Sequence, residues 1–189
     1  MDVAEIVIAL QSLPFRRYDD LAARAPAAPP TTHGLYAWWQ SAGALPGVRA
    51  TPHPLDPGFE LLYVGTAPKD GTSKSNLRKR LSNHHHAAIG SSTFRLDLAA
   101  FLWEVEGWQP GWTDRPKLAD ADIAALGDWQ RKYLHVQWVE CPKPWNSEDA
   151  VVRAMAPPLN REHNQQHRAY ASVGDARDAL RQAARRNRL

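Results

Sequence analysis

Apolar residues cluster or alternate in short runs at some places along the chain and recur at three- and four-residue intervals at others. Val3 to Leu13 has the helical period, and Asp2 with Glu5 has capping-box spacing at its start. Gly34-Leu35-Tyr36-Ala37-Trp38-Trp39 and Glu60-Leu61-Leu62-Tyr63-Val64-Gly65 are β-type runs, each touching a glycine. Between them, 40–58 carries Pro46, Pro52, Pro54 and Pro57 with three glycines, which predicts a long loop. Residues 25–32 read as an Ala/Pro/Thr-rich linker and 66–74 as a polar loop. Ser75 is placed to cap a helix over 76–86, with Leu77 and Leu81 on its buried side. Helical patterning returns over 93–102 and 120–134, the latter with Asp120 and Asp122 at the positive end of the dipole. A Trp/Gly/Pro loop separates these helices at 107–118. Residues 135–141 alternate as a strand. Asn146 is placed to cap a helix over 147–155 that Pro157-Pro158 stops, and a last helix is expected from Ser172 or Gly174 to Arg186. If the two aromatic runs pair as a hairpin, the class is α+β around a small sheet.

Composition narrows the class. With 189 residues, 43% hydrophobic and 23% charged, the chain suits one domain with short extensions. No apolar run approaches the ~20 residues of a bilayer span, and no basic-then-apolar leader opens the chain, so a cytoplasmic protein without a membrane partner is expected. A lone Cys141 excludes a disulfide framework and a multi-cysteine zinc site. Net charge is +3, and the excess is concentrated. Arg177, Arg181, Arg185, Arg186 and Arg188 face a single Asp178 near the C-terminus, and Arg78-Lys79-Arg80 form a second cluster. Arg177, Arg181, Arg185 and Arg188 share one helical face, which fits either a solvated tail or a contact along a nucleic-acid backbone.

The polar residues add chemistry. Paired strands let Tyr36 and Tyr63 project from one face. Arg80 and His84 lie one helical turn apart. Glu148 begins a later helix, and Asn160 follows twelve residues on. Phosphodiester hydrolysis needs an activated water, charge neutralisation on the phosphate and help for the leaving oxygen. Arg80 is the candidate to hold phosphate oxygens bidentately, with Arg78 and Lys79 as neighbouring nucleic-acid contacts.

This ordered set resembles the GIY-YIG nuclease superfamily. The likeness rests on Gly34-Leu35-Tyr36, Tyr63-Val64-Gly65, Leu77-Arg78-Lys79-Arg80-Leu81 with His84, Glu148, and Pro157-Pro158-Leu159-Asn160. It implies a mainly antiparallel sheet of about three strands flanked by helices. It also implies one Mg²⁺ or Mn²⁺ held by Glu148, and DNA hydrolysis leaving 5′-phosphate and 3′-hydroxyl ends. Tyr36 or Tyr63 becomes the general base, His84 its partner, and Asn160 either a loop anchor or a chemical participant. The Arg80/His84 and Glu148/Asn160 spacings look most like the restriction-enzyme branch. The implied organisation is an N-terminal helical extension and linker at 1–32, a nuclease domain at 33–163 and an Arg-rich helix at 164–189. Two departures stand out. Twenty-six residues separate Tyr36 from Tyr63, an insertion relative to the family, and Thr66 stands where repair-type members carry a lysine. The alternatives are a non-catalytic nucleic-acid-binding module and a structure-specific repair or mobile-element nuclease. Cutting both strands calls for a homodimer or a partner protein.

Overall fold

The computed structural model describes residues 1–21, 28–86 and 88–187; Arg188 and residues 25–27 of the expected linker lie outside them. Strands β2 (Gly34–Ser41) and β4 (Phe59–Ala67) pair antiparallel, with Tyr36 opposite Gly65 and Trp38 opposite Tyr63. Directly opposed residues share a face. Tyr36, Trp38 and Tyr63 therefore enter one apolar core, while Leu35, Ala37, Trp39 and Val64 enter another on the reverse face.

The sheet has five strands, where about three were expected. Its order is β1 (Arg16–Arg17), β7 (Leu134–Glu140), β2, β4, β3 (Thr51–Pro52), all antiparallel. The two additional strands are two-residue edge pieces, too short to leave an alternating pattern. One sits inside the proline-rich stretch read as a loop, where an edge position tolerates Pro52. The loop expected at 107–118 likewise contains a small hairpin, β5 (Gly111–Trp112) with β6 (Pro116–Lys117).

The helices divide between the two faces. Helices α1 (Val3–Ser12) and α5 (Glu148–Met155) close the reverse face through Ile6, Leu10, Val151, Val152 and Met155. The tyrosine face is covered by α2 (Leu77–His86), α3 (Thr93–Leu102), α4 (Asp120–Tyr133) and α6 (Tyr170–Arg186). The Asp2/Glu5 capping box forms as expected. Asn76 takes the capping role assigned to Ser75, accepting from the Lys79 amide at 2.9 Å. Asn146 lies in a 3-10 turn, Pro144–Asn146, and Ser147 precedes α5. Ala156 ends α5 in the left-handed region before the two prolines. Helix α6 starts earlier than the expected Ser172 or Gly174.

Two glycines are fixed by crowding. A Cβ on Gly34 would overlap the Val139 carbonyl and the Leu77 side chain, so only glycine lets β2 sit this close to β7 and α2. A Cβ on Gly65 would overlap the Tyr36 phenol, which lies across that position.

The outer edge of β4 is completed by the segment after α5. A bulge near Trp38 and Trp39 puts Leu62 out of register, and its carbonyl accepts from the Leu159 amide at 3.1 Å. Beyond the reach of β3, the Asn160 side chain then bonds both backbone groups of Val64. Its Oδ1 accepts at 2.9 Å and its Nδ2 donates at 2.8 Å. Buried backbone groups need such partners. The Pro-Pro-Leu-Asn run thereby fixes where α5 begins and ends relative to the sheet.

Candidate active site

Tyr36 is fully buried, and its hydroxyl meets two side chains of α2. His84 Nε2 lies 2.7 Å away, and Arg80 Nε donates to the phenol oxygen at 3.2 Å. The four-residue spacing aims both groups at the same spot, and buried Leu77 and Leu81 hold that side of α2 against the core. In the tautomer with Nε2 unprotonated, the phenol accepts from Arg80 and donates to His84 Nε2. The imidazole proton then sits on Nδ1, which faces the Ser92 hydroxyl at 2.8 Å. Ser92 is also the N-cap of α3, accepting from the Arg95 amide at 3.3 Å. The His84 carbonyl accepts from Gln130 Nε2 at 3.2 Å and Arg95 Nη1 at 3.4 Å, so α3 and α4 both brace this turn. Burial, then Arg80 and Arg95, holds the His84 pKa well below the usual imidazole range, so the ring is neutral near pH 7.

Burial raises the Tyr36 phenol above its ordinary pKa, while Arg80 pulls the other way. Tyr63, its ring centroid 6.4 Å from that of Tyr36, is raised by burial and by the Tyr36 phenol. Tyr63 and Arg80 line a cavity of about 560 Å³, together with Thr66, Glu148, Asn160 and Arg161. Tyr36 and His84 stand one layer behind that wall.

Glu148, the first residue of α5, is half-buried. Burial raises its carboxyl pKa against the pull of Thr66, His163 and Arg80. The buried Thr66 hydroxyl is the neighbour that draws the Glu148 carboxyl down most, and it lines the same cavity. Among the described residues no three His, Cys, Asp or Glu side chains converge, so a site needing several protein ligands is not formed. One carboxylate and the hydroxyl beside it, both hard oxygen donors at a cavity, fit Mg²⁺ or Mn²⁺, which keeps most of its shell as water and phosphate. The adjacent Asp149 is turned to Arg153 and His163. His167 Nδ1 accepts from the Ala169 amide at 3.0 Å.

The structure therefore gathers Tyr36, Tyr63, Arg80, His84, Glu148 and Asn160 at one place. Arg177 reaches the same cavity but is paired with both carboxylate oxygens of buried Asp97 through the Nε/Nη2 edge of its guanidinium. Burial outweighs Arg177 at Asp97 and pushes that carboxyl up to about 6. The other cationic candidates stand elsewhere. Arg78 Nε donates to the Pro29 carbonyl at 2.7 Å, and Lys79 is exposed. Arg181 bonds Asp178 at 3.1 Å, and Arg185 lies over the Trp112 ring at 4.7 Å. Sequence patterning missed Ser92 and Arg161. Ser92 is legible only as a helix start, and nothing in the spacing places it against His84.

A family model of the GIY-YIG catalytic domain matches residues 34–181, a span that contains every residue of this cavity. No curated protein and no solved structure matches the chain. With the family comes a nuclease-type function acting on DNA. From the two glycine-flanked tyrosine strands to the helix that carries Glu148, the chain belongs to the GIY-YIG catalytic-domain family.

Proposed function

We propose that this chain is a divalent-metal-dependent endonuclease that hydrolyses DNA phosphodiester bonds by a one-metal mechanism. The observation that carries the reading is the bonded series Ser92, His84, Tyr36, Arg80, which ends at a cavity that Glu148 also lines. Glu148 would hold Mg²⁺ or Mn²⁺, with the Thr66 hydroxyl as a further oxygen beside it. Bound there, the cation neutralises phosphate charge and acidifies water. Arg80 gives its Nε to Tyr36, which leaves its Nη groups for phosphate oxygens and the Tyr63 phenol.

Tyr36 acts as the general base in a concerted relay. Because Tyr36 Oη stands behind the cavity wall, the Tyr63 side chain must move aside to admit the attacking water. The water's proton then passes to Tyr36 Oη as the phenol proton passes to His84 Nε2, and Arg80 stabilises the charge on the phenol oxygen. Neutral His84 can accept, and Ser92 holds its Nδ1–H in place. Tyr63 as base is a second reading, favoured by its position in the cavity wall. Against it, His84 is already engaged with Tyr36 and Ser92. Tyr36→Phe against Tyr63→Phe separates the two, since the base variant loses the chemical step and the other weakens phosphate binding.

The same reading makes 33–163 the nuclease domain, with 1–32 and 164–189 as extensions, and assigns the chain to the restriction-enzyme branch from its Arg80/His84 and Glu148/Asn160 spacings. It takes Asn160 as the anchor of the Glu148 helix. It assigns Arg78, Lys79, Arg181, Arg185 and Arg188 to backbone contacts, Arg177 to one at the cavity wall, and a homodimer or partner protein to specificity. The test is a labelled duplex incubated with Mg²⁺ or Mn²⁺, with and without EDTA. The proposal expects metal-dependent products whose 5′-phosphate and 3′-hydroxyl ends DNA ligase rejoins. Duplex binding without cleavage in either metal would favour the non-catalytic module.

A further inference from the structure

Among the described residues Arg161, like Arg80 in the same cavity wall, has no carboxylate partner. Arg161 follows Asn160 on the segment clamped to β4, and its guanidinium lines the same cavity as Arg80. The residue is half-buried and lies over the Tyr170 ring, with the guanidinium carbon 4.3 Å from the centroid. Its other side rests on α6 at Gly174, where a Cβ would come within 3.2 Å of Nη2. Helix α6 thus supplies both a stacking surface and a small-residue gap that fix the plane of this side chain.

Nothing neutralises that plane. The Arg161 Nε is buried without a hydrogen-bond partner, and no carboxylate among the described residues pairs with the group. Asp97 is close enough to feel its charge, but Arg177 occupies both oxygens of Asp97. Around the cavity, four cationic side chains (Lys69, Arg80, Arg161, Arg177) accompany two carboxylates, Glu148 and Glu162. A partly desolvated guanidinium is costly to hold unpaired, and one held in a fixed plane at a cavity suits an anion with two acceptor oxygens.

We propose that Arg161 forms a second phosphate subsite, which binds the backbone phosphate next to the scissile one held by Arg80. The identity of that phosphate as DNA rests on the nuclease reading above; the anion site itself rests on the geometry of Arg161. Two fixed guanidiniums in one cavity would set the register of the strand, with Arg80 at the reacting phosphate and Arg161 one step along. The Tyr170 ring keeps Arg161 ready, so binding orders little that is not already ordered.

The experiment measures equilibrium binding of a fluorescein-labelled duplex over a series of KCl concentrations, with EDTA present to prevent cutting. The proteins are wild type, Arg161→Met, Arg161→Lys and Arg131→Met. Arg131 is an exposed α4 residue bonded to Asp19 and Asp128, so its variant controls for loss of a surface charge. Arg161→Met should lower the magnitude of the log–log salt slope by about 0.9 relative to wild type. It should also weaken low-salt binding about 10-fold. Arg161→Lys should keep the slope and lose part of the affinity, because an ammonium lacks the fork. A slope in Arg161→Met equal to that of wild type, with tight binding retained, overturns the subsite and leaves the nuclease reading standing. If wild type binds no duplex, the nuclease reading fails, and inorganic phosphate titrated into nitrogen-15-labelled wild type decides the subsite. A saturable shift of the Arg161 Nε–Hε resonance supports it and an unmoved resonance overturns it. That titration needs no folded Arg161 variant.

Discussion

Replacing Asn160 by alanine should chiefly destabilise the fold. The side chain makes two hydrogen bonds of 2.9 and 2.8 Å to Val64, a fully buried residue on a stretch of β4 that pairs with β2 on one side and has no strand on its outer edge. Truncation leaves a buried N–H and a buried C=O unsatisfied, each costing about 1–3 kcal/mol, so the expected loss is about 2–6 kcal/mol. For a chain of this length, at about 2–4 °C per kcal/mol, that lowers Tm by about 4–24 °C. Asn160→Asp sharpens the test. One carboxylate oxygen can still accept from the Val64 amide, but the other faces the Val64 carbonyl, so the folded state favours the protonated acid. Its pKa rises above the unfolded value; stability is full below the unfolded carboxylate range and is lost as pH rises through the folded pKa. Thermal melts by circular dichroism at several pH values, for wild type and both variants, are the assay. An alanine variant melting within about 1 °C of wild type, or an aspartate variant more stable at high pH, would refute the anchoring argument.

Other outcomes follow from the same geometry. Ser92→Ala removes both the α3 cap and the Nδ1 partner of His84; it should cost about 1–3 kcal/mol of stability. It should also slow cleavage about 10- to 100-fold, with Ser92→Thr restoring most of the rate in single-turnover assays. Gly65→Ala should displace the Tyr36 phenol, seen as a changed His84 imidazole resonance and lost cleavage in a protein that still folds. Buried neutral His84 contributes stability that is present above about pH 6.5 and is lost as pH falls below it, and His84→Asn should flatten that slope in urea titrations. Asp97, raised to about 6, acts in the opposite sense: stability is greatest below the unfolded carboxylate range and falls as pH rises through about 4 to 6. Asp97→Asn should remove that fall.

The long elements were legible because their patterning repeats over two or more turns or over several alternating residues. The shared face of Tyr36 and Tyr63 followed from the pairing of two glycine-flanked strands, and Arg80 with His84 from helical spacing. The two-residue strands were not legible, because so few positions carry no period. Asn76 displaced Ser75 as a cap because both residue types can accept an amide and only the chain's path chooses between them. The Ser92–His84 contact joins the start of α3 to the end of α2, and Arg161 depends on Tyr170 and Gly174 of α6. Both are tertiary facts with no local signature. The six polar residues of the candidate site were legible as a set only because a family resemblance grouped them. Their distances, and the burial of Tyr36 behind the wall, were not.

The central claim is that metal-dependent cutting comes from the cavity shared by Arg80 and Glu148. Nicking of a supercoiled plasmid in Mg²⁺ or Mn²⁺ by wild type, Glu148→Ala and Arg80→Ala, purified in parallel, tests it most directly. The account predicts nicked and linear products from wild type alone, abolished by EDTA. Equal nicking by all three proteins, or none by wild type in either metal, would contradict it.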